Sequence, residues 1–398
     1  MTLLYIDPGT GSLLISAIIG LAMSFWFEFK GFYYKTISRL TGKTNHLENN
    51  FRGRLVFFNE GQRYWNVFGP VLKELIHKKQ KFVYLSADKN DEGLKMNKEF
   101  CEAYYLGDIN QSVFLLNQLK AEMCVMTTPQ LGILKLKRSK HVKHYCNLLH
   151  SPVDIHFYKK FAFDRFDSVL CVNSFQIKNL RQLENDRGDK VKELFKTGCT
   201  YYDTIDHIEK KRGEGILIAP SWGEKSFIAT YGKQLIKKIL DAGYKVIFRP
   251  HPQSFTADKE ALGEITTLFE TESNFKIDKS PDNKQALSES KIVISSMSGL
   301  VFDSVIAHKK PTIVIDVKWD SRGWEFHSIN NSPSTNILLK EVGKTISEGG
   351  IDEIVTTIKE VESKQIKDNI VDKYIYNYRN AGKIAAEQIN LIYNKLHE

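Results

Sequence analysis

One stretch limits the choice of fold more than any other: residues 291–316, KIVISSMSGLVFDSVIAHKKPTIVID. Two apolar, β-branched runs, 292–294 and 312–315, are bounded by turn residues and separated by a helical segment over 300–308. That order predicts a βαβ unit of a parallel sheet. In such a unit the turn leaving the first strand lies at the strand's carboxyl end and opens a helix, whose free N–H groups and positive dipole end suit a phosphate. Here the turn is Ser295, Ser296, Met297, Ser298 and Gly299. Its hydroxyls are donors and its glycine admits close backbone approach; capping of the helix by a serine is the simpler role.

The same alternation runs through the chain. Short apolar runs at 54–58, 82–86, 102–106, 123–127, 144–149, 168–172 and 191–195 read as buried strands, with helical patterns at 67–78, 112–120 and 175–184. A charged, apolar-poor interval at 202–215 follows, and then the pattern restarts: strand 216–219, helix 231–242, strand 245–248, helix 261–270, strand 275–277 and the unit above. A tail from 351 reads as amphipathic helix, with Ile354, Ile358 and Val361 on one face. With 398 residues, 42% of them hydrophobic, the chain can bury two cores of ordinary size. The expected fold is α/β, with two Rossmann-like domains over 46–205 and 206–398, the second carrying the C-terminal helices. Both sets of strand carboxyl ends face a shared cleft.

Residues 1–45 read differently. An apolar run over 13–29, broken only by small or hydroxyl residues and Glu28, is at the short end of what spans a bilayer. Lys30, Lys35, Arg39 and Lys43 follow it and only Asp7 precedes it, a bias that keeps the rest of the chain cytoplasmic. A membrane-anchor helix is expected, either spanning or lying in the interface. Lys and Arg total 56 against 47 Asp and Glu, and the resulting +9 favours anionic partners. Five scattered cysteines without a CxxC pair indicate buried free thiols rather than a disulfide framework or a zinc site.

Two further turns carry chemistry. In YKVIFRPHPQS, residues 244–254, a buried strand runs into Arg249-Pro250-His251-Pro252 and presents Arg249 and His251 at its carboxyl end. Prolines on both sides of His251 fix the backbone, so the imidazole is held rigidly where it can bind phosphate or move a proton. In HYCNLLHSPVD, residues 144–154, His150 closes a strand of the first domain ahead of Ser151-Pro152. A hydrogen bond to a backbone carbonyl is the plainer role for His150. Ser221 and Trp222 leave another second-domain strand, where they either line the same cleft or, for Trp222, pack in the core.

In order and spacing these pieces resemble the CDP-glycerol glycerophosphotransferase family, the teichoic-acid primases and polymerases, which have the two-domain GT-B fold. The family's His-Gly-Thr-Pro is matched by His150-Ser151-Pro152. Its Lys-Pro-His-Pro is matched by Arg249-Pro250-His251-Pro252, and its Ser-Asp-Tyr-Ser-Ser…Asp by the turn at 295–299 with Asp303, followed by Lys310-Pro311. Ser296 stands in place of the acid and Gly299 in place of the last serine, which marks a divergent member. The resemblance implies that His150 deprotonates the acceptor hydroxyl and that His251 binds or protonates the diphosphate as CMP leaves. Ser295, Ser296, Ser298 and the helix amides would hold donor phosphates. Asp303 either bonds ribose or cytosine, or satisfies the helix dipole.

No DxD-like metal signature, Walker loop or GxGxxG fingerprint is present, so neither a metal nor a cofactor is expected and the nucleotide-activated donor is a substrate. The run KLKRSKHVKH, with Lys135, Lys137, Arg138, Lys140 and Lys143, is either a solvated face or a track for a phosphate-bearing acceptor or anionic headgroups. It lacks interleaved aromatics, which argues against nucleic acid. The expected function is a membrane-associated, cytoplasm-facing transferase moving a phosphopolyol, glycerol phosphate first among candidates, onto a lipid-linked or polymeric envelope acceptor. A nucleotide-sugar glycosyltransferase, an isomerase like the UDP-sugar 2-epimerases and an inactive scaffold are its rivals.

Overall fold

The computed structural model describes residues 51–96, 99–205, 213–223, 226–280 and 283–398. The expected anchor at 1–45 lies outside the described residues, and among those described no helix is long and apolar enough to cross a membrane.

Two wholly parallel sheets organise the chain. The first has seven strands: β1 (Leu55–Asn59), β2 (Phe82–Ser86), β3 (Cys101–Tyr105), β4 (Ala121–Met126), β5 (Val142–Leu148), β6 (Ser168–Cys171) and β7 (Glu193–Lys196), in the order β3-β2-β1-β4-β5-β6-β7. The second has six: β8 (Gly215–Ala219), β9 (Val246–Phe248), β10 (Phe275–Ile277), β11 (Ser290–Ser295), β12 (Thr312–Asp316) and β13 (Gly343–Ser347), in the order β10-β9-β8-β11-β12-β13. Every residue of β1, β2, β4 and β8 is buried, as strands covered by helices on both faces require. Strand order reverses between β1 and β4 and again between β8 and β11, and the carboxyl ends at such switch points are where open α/β sheets bind ligands.

Three features depart from the sequence-based expectation. The helix after β11 is α-helical only over Gly299–Phe302 and continues as a π turn over Asp303–Ala307. Here the His308 N–H reaches back five residues to the Asp303 carbonyl, at 3.2 Å, while the Ser304 hydroxyl is shared between the Val301 carbonyl and Thr312. Strand β13 and the helix Ser334–Val342 before it were not anticipated; GKTIS is a half-exposed edge strand with a glycine and a lysine, and it lacks the continuous apolar run. The last helix, Ala381–Lys395, returns to the first half, where Ala385, Ala386, Ile389 and Ile392 pack among Val67, Phe68, Val71 and Leu72. Asp203 accepts hydrogen bonds from the Ala381 and Gly382 N–H groups at its start, and Pro70 lies 2.6 Å from where a Cβ on residue 382 would sit, so only glycine fits.

One apolar cluster is shared between the two halves. Val301, Phe302, Val305 and Ile306 of the second half belong to the same apolar cluster as Ile155, Cys199 and Tyr202 of the first. Polar bonds reinforce it. Buried Asp154 accepts from the Ser334 N–H at 2.9 Å and from the Ser334 and Thr335 hydroxyls, capping a second-half helix from the first half. Arg187 pairs with Glu325 at 2.5 Å, and the Lys160 N–H donates to the Gly323 carbonyl, so the polar loop after β12 docks on the first half. All five cysteines are free and buried.

Candidate functional site

The second sheet's switch point builds the site. Ser295 ends β11, and its hydroxyl donates at 2.7 Å to the carbonyl of Ala219, which ends β8. Beside it the Ser296 hydroxyl accepts from the Ser221 N–H at 3.1 Å, and Ser298 Oγ lies 3.3 Å from Ser295 Oγ. None of the three hydroxyls caps the following helix; they tie the turn at 295–299 to the turn at 220–222. Ser295 and Ser296 are buried, which leaves Ser298 and Ser221 facing the recess in front of them.

That recess, of about 410 Å³, brings together Ser221, Arg249, His251, Ser298, Asp303 and, from the first half, Tyr201. Arg249 follows β9 and pairs at 2.5 Å with Asp278, which follows β10. Burial opposes the charge on Asp278, but bonds from Ser280 and Arg249 outweigh it and hold its carboxyl below the usual range. His251 is exposed; its Nδ1 accepts from the Gln253 N–H at 3.2 Å, so the neutral ring carries its proton on Nε2. Trp222 stacks on that ring at 6.2 Å between centroids and is itself 43% exposed, so it belongs to the rim of the recess and not to the core. Though exposed, the ring is partly desolvated by the protein around it, which holds the His251 pKa below its ordinary value, with Asp258 opposing. Asp303 opens the π turn, and its Oδ1 accepts from the Tyr202 hydroxyl at 3.1 Å, across the two halves. Burial raises its carboxyl to about 7, with the Tyr202 bond working against that rise.

His150 is placed differently. Its ring meets Tyr64 edge to face at 5.1 Å, its Nδ1 is buried with no hydrogen-bond partner among the described residues, and it is not among the residues lining the recess. Burial lowers its pKa to about 4, with Glu60 opposing and Arg63 assisting. The backbone carbonyl of His150 is met by the Cys199 thiol, 3.5 Å away, so a carbonyl contact exists but the ring does not make it. The next residue does reach the second half: a Cβ on residue 299 would lie 3.3 Å from Ser151 Oγ, so glycine at 299 lets the His150 turn close over the turn at 295–299.

Comparison with known proteins bears on the architecture. No family model matches the chain, and no curated protein matches it by sequence. Solved structures do match. A structure of the wall teichoic acid polymerase TagF aligns over 93% of this chain and 98% of its own, at 15% identity and a TM-score of 0.55. The UDP-GlcNAc 2-epimerase of Neisseria meningitidis, bound to UDP-GlcNAc, aligns over 85% of this chain and 99% of its own at 13% identity and a TM-score of 0.57. That of Methanocaldococcus jannaschii aligns over the same shares at 11% identity and 0.53. The chain has the GT-B fold. The family that its motifs resemble is thus among its structural neighbours, and at these identities the likeness is one of fold.

Within the GT-B frame the basic run stands apart from the cleft. It leads into β5, with Lys135 to Lys140 ahead of the strand and Lys143 in its first residues, whereas His150 follows β5, so seven strand residues, roughly 20 Å, separate the amino edge of the sheet from its carboxyl edge. Arg138 donates to Asp167 at 2.7 Å and to the Arg165 carbonyl at 2.6 Å, and Lys143 pairs with Glu122 at 2.6 Å. Arg138 is a partly buried structural tie and Lys143 an exposed ion pair, and Lys135, Lys137 and Lys140 are exposed as well. A larger recess, about 540 Å³, opens at the amino ends of β8, β9 and β10. Its lysines are engaged in Lys245–Glu214 and Lys276–Glu289 pairs, and it holds none of the expected site residues. Among the described residues no group of three or more His, Cys, Asp or Glu is placed to hold a metal ion.

Sequence reasoning missed Tyr64, Tyr201, Tyr202 and Asn283. Tyr201 precedes and Tyr202 opens the charged interval read as the domain boundary, and their only signal was two adjacent aromatics beside charged residues. Tyr202 is completely buried.

Proposed function

We propose that this protein is a transferase that moves a phosphopolyol, glycerol phosphate from CDP-glycerol, onto a lipid-linked or polymeric envelope acceptor. One observation carries the reading. The Arg-Pro-His-Pro turn, the serine turn and Asp303, picked out as separate motifs, line a single recess at the carboxyl ends of the second sheet. The fold is shared with TagF over 93% of this chain and with the epimerases over 85%, so it admits both chemistries; the Arg-Pro-His-Pro and serine turns, which resemble those of the glycerophosphotransferases, favour the transferase. A His-to-Asn variant of TagF has been soaked with CDPG, which makes a CDP-linked donor the first to try. Membership of the glycerophosphotransferase family, as a divergent member, is part of the proposal. So are a membrane anchor within residues 1–45 and catalytic halves that face the cytoplasm.

The chemistry follows from the two histidines. The acceptor hydroxyl attacks the phosphorus that bears the polyol; a new P–O bond forms, the diphosphate bond breaks, and CMP leaves with the electron pair. His251, with its proton on Nε2, donates to the departing phosphate. The resemblance gives His150 the acceptor's proton: its ring is neutral at physiological pH, as a base must be, and since Nδ1 is buried, Nε2 is the nitrogen left to take it. The turn of Ser298 and the helix amides hold the donor's phosphates.

CMP release from CDP-glycerol with acceptor present tests the assignment. His251→Ala and His150→Ala are each expected to lower turnover by at least about a hundredfold. Only His251→Ala should also weaken donor binding, since His150 does not line the recess. Unchanged release in both variants refutes the assigned roles.

A further inference from the structure

We propose that Asp303 holds a proton in the donor complex and donates it in a hydrogen bond to the donor's diphosphate, so that donor binding draws a proton from solution. The inference rests on the donor pocket assigned above and deepens it.

Asp303 is the one carboxyl among the residues lining the recess, which it shares with Arg249, His251, Ser298 and Tyr201. Its Oδ1 is fixed by the Tyr202 hydroxyl, and Oδ2 takes no hydrogen bond from the described residues. Among the described residues lining the recess no spare positive charge faces it. Arg249, the one guanidinium or ammonium group among the described residues lining the recess, is already paired with Asp278. His251 is largely neutral at pH 7, because burial outweighs the pull of Asp258. Behind Asp303 lies the buried thiol of Cys199, which burial and Asp303 itself both keep protonated. Tyr202 is neutral for the same two reasons.

A diphosphate entering this recess therefore meets an uncompensated acid. Two anions held close in a protein-lined space favour sharing a proton, as paired carboxylates do. A phosphate oxygen accepts hydrogen bonds and a carboxylate offers none, whereas a neutral carboxylic acid is a donor. Burial has already brought the empty site close to this state, at about 7. The Tyr202 hydroxyl holds the group short of full protonation.

The test uses CDP-glycerol, whose diester phosphates do not titrate between pH 6 and 8. If only the protonated form binds well, the wild-type Kd rises about tenfold from pH 6 to pH 8. Calorimetry in two buffers of different ionisation heat then reads uptake of about half a proton per donor at pH 7. Asp303→Asn, of the same shape but without the ionisation, keeps Kd nearly flat over this range and takes up no proton there. Tyr202→Phe removes the bond that lowers the Asp303 pKa, so the loss of affinity moves to higher pH. Binding without proton uptake overturns the proposal, as does an Asp303→Asn variant that loses affinity at every pH, which would assign the ionised acid to the ligand's hydroxyls. Affinity that requires Mg²⁺ and vanishes with EDTA overturns it too, by putting a cation between acid and phosphate. If neither CDP-glycerol nor UDP-GlcNAc binds the wild type at any pH, the donor-pocket reading itself fails and this inference with it.

Discussion

The His150 turn and the His251 turn look alike in sequence, each a histidine within two residues of a proline just after a buried strand, and they fold into opposite surroundings. His251 stands exposed at the mouth of the recess, with one ring nitrogen tied to its own turn and Trp222 against its face. His150 is pressed against Tyr64 with a buried nitrogen lacking a partner among the described residues. Strand geometry thus fixes which edge of the sheet a side chain occupies. What protonation state it keeps there is decided by residues that arrive from elsewhere in the chain. Burial of His150 holds its pKa near 4, while the shift at His251 is milder. A base and a phosphate ligand drawn from the same residue type are separated by their environments alone.

The contrast depends on how firmly the His150 turn is held, and the strongest way to break it is at Asp154. This buried carboxylate ties the segment after His150 to Ser334 and Thr335. Asp154→Ala leaves several donors unsatisfied at once and is expected to cost about 3 kcal/mol, read as a fall in denaturant midpoint. Turnover should fall with it while donor affinity holds. Equal losses in both would show that the two turns are not independent.

Acid sensitivity sharpens the comparison further. A histidine whose folded pKa lies below its unfolded value of about 6.5 is a site where the unfolded chain binds the extra proton. Its cost is therefore absent above pH 6.5 and grows as pH falls towards 4. Burial places both His150 and His308 near 4, so each should remove on the order of 2–3 kcal/mol over that window. Melting curves from pH 7 to 4 should show His150→Gln to be less acid-sensitive than the wild type. His251→Gln should change that slope little, and a reversed ranking would contradict the environments described here.

The smallest effect is expected at the contact between the turns. Gly299→Val places a branched side chain against Ser151 and Val153 and should cost about 1–2 kcal/mol by overpacking. Because the strain falls on the His150 side, activity should suffer more than donor affinity. A fully active Gly299→Val enzyme would mean that the first-half turn does not need to close over the second.

Much of the architecture was legible because buried parallel strands announce themselves as unbroken apolar runs: LVFF, FVYLS and IVIS were each placed within a residue or two of where they lie. Edge strand β13 was not, since an edge that is half wet has no need of such a run. The site divides in the same way. Prolines around His251 and serines after β11 are local signals and were readable. The charged run at 135–143 was not resolvable, because nothing local told that Arg138 would meet Asp167 and be partly buried there, or that Lys143 would pair with Glu122. Tyr202 was invisible because its partner, Asp303, is supplied by the other half.

By itself the sequence determined two parallel sheets and the strand-end turns from which this protein's chemistry hangs, because hydrophobic period and turn residues act over a few neighbouring positions. Only the tertiary structure decided which of those turns share a recess, which imidazole is buried, and that Asp303 sits without a counter-charge. Those properties depend on distances between residues far apart in the chain and on how much water is left around them, and no local pattern encodes either.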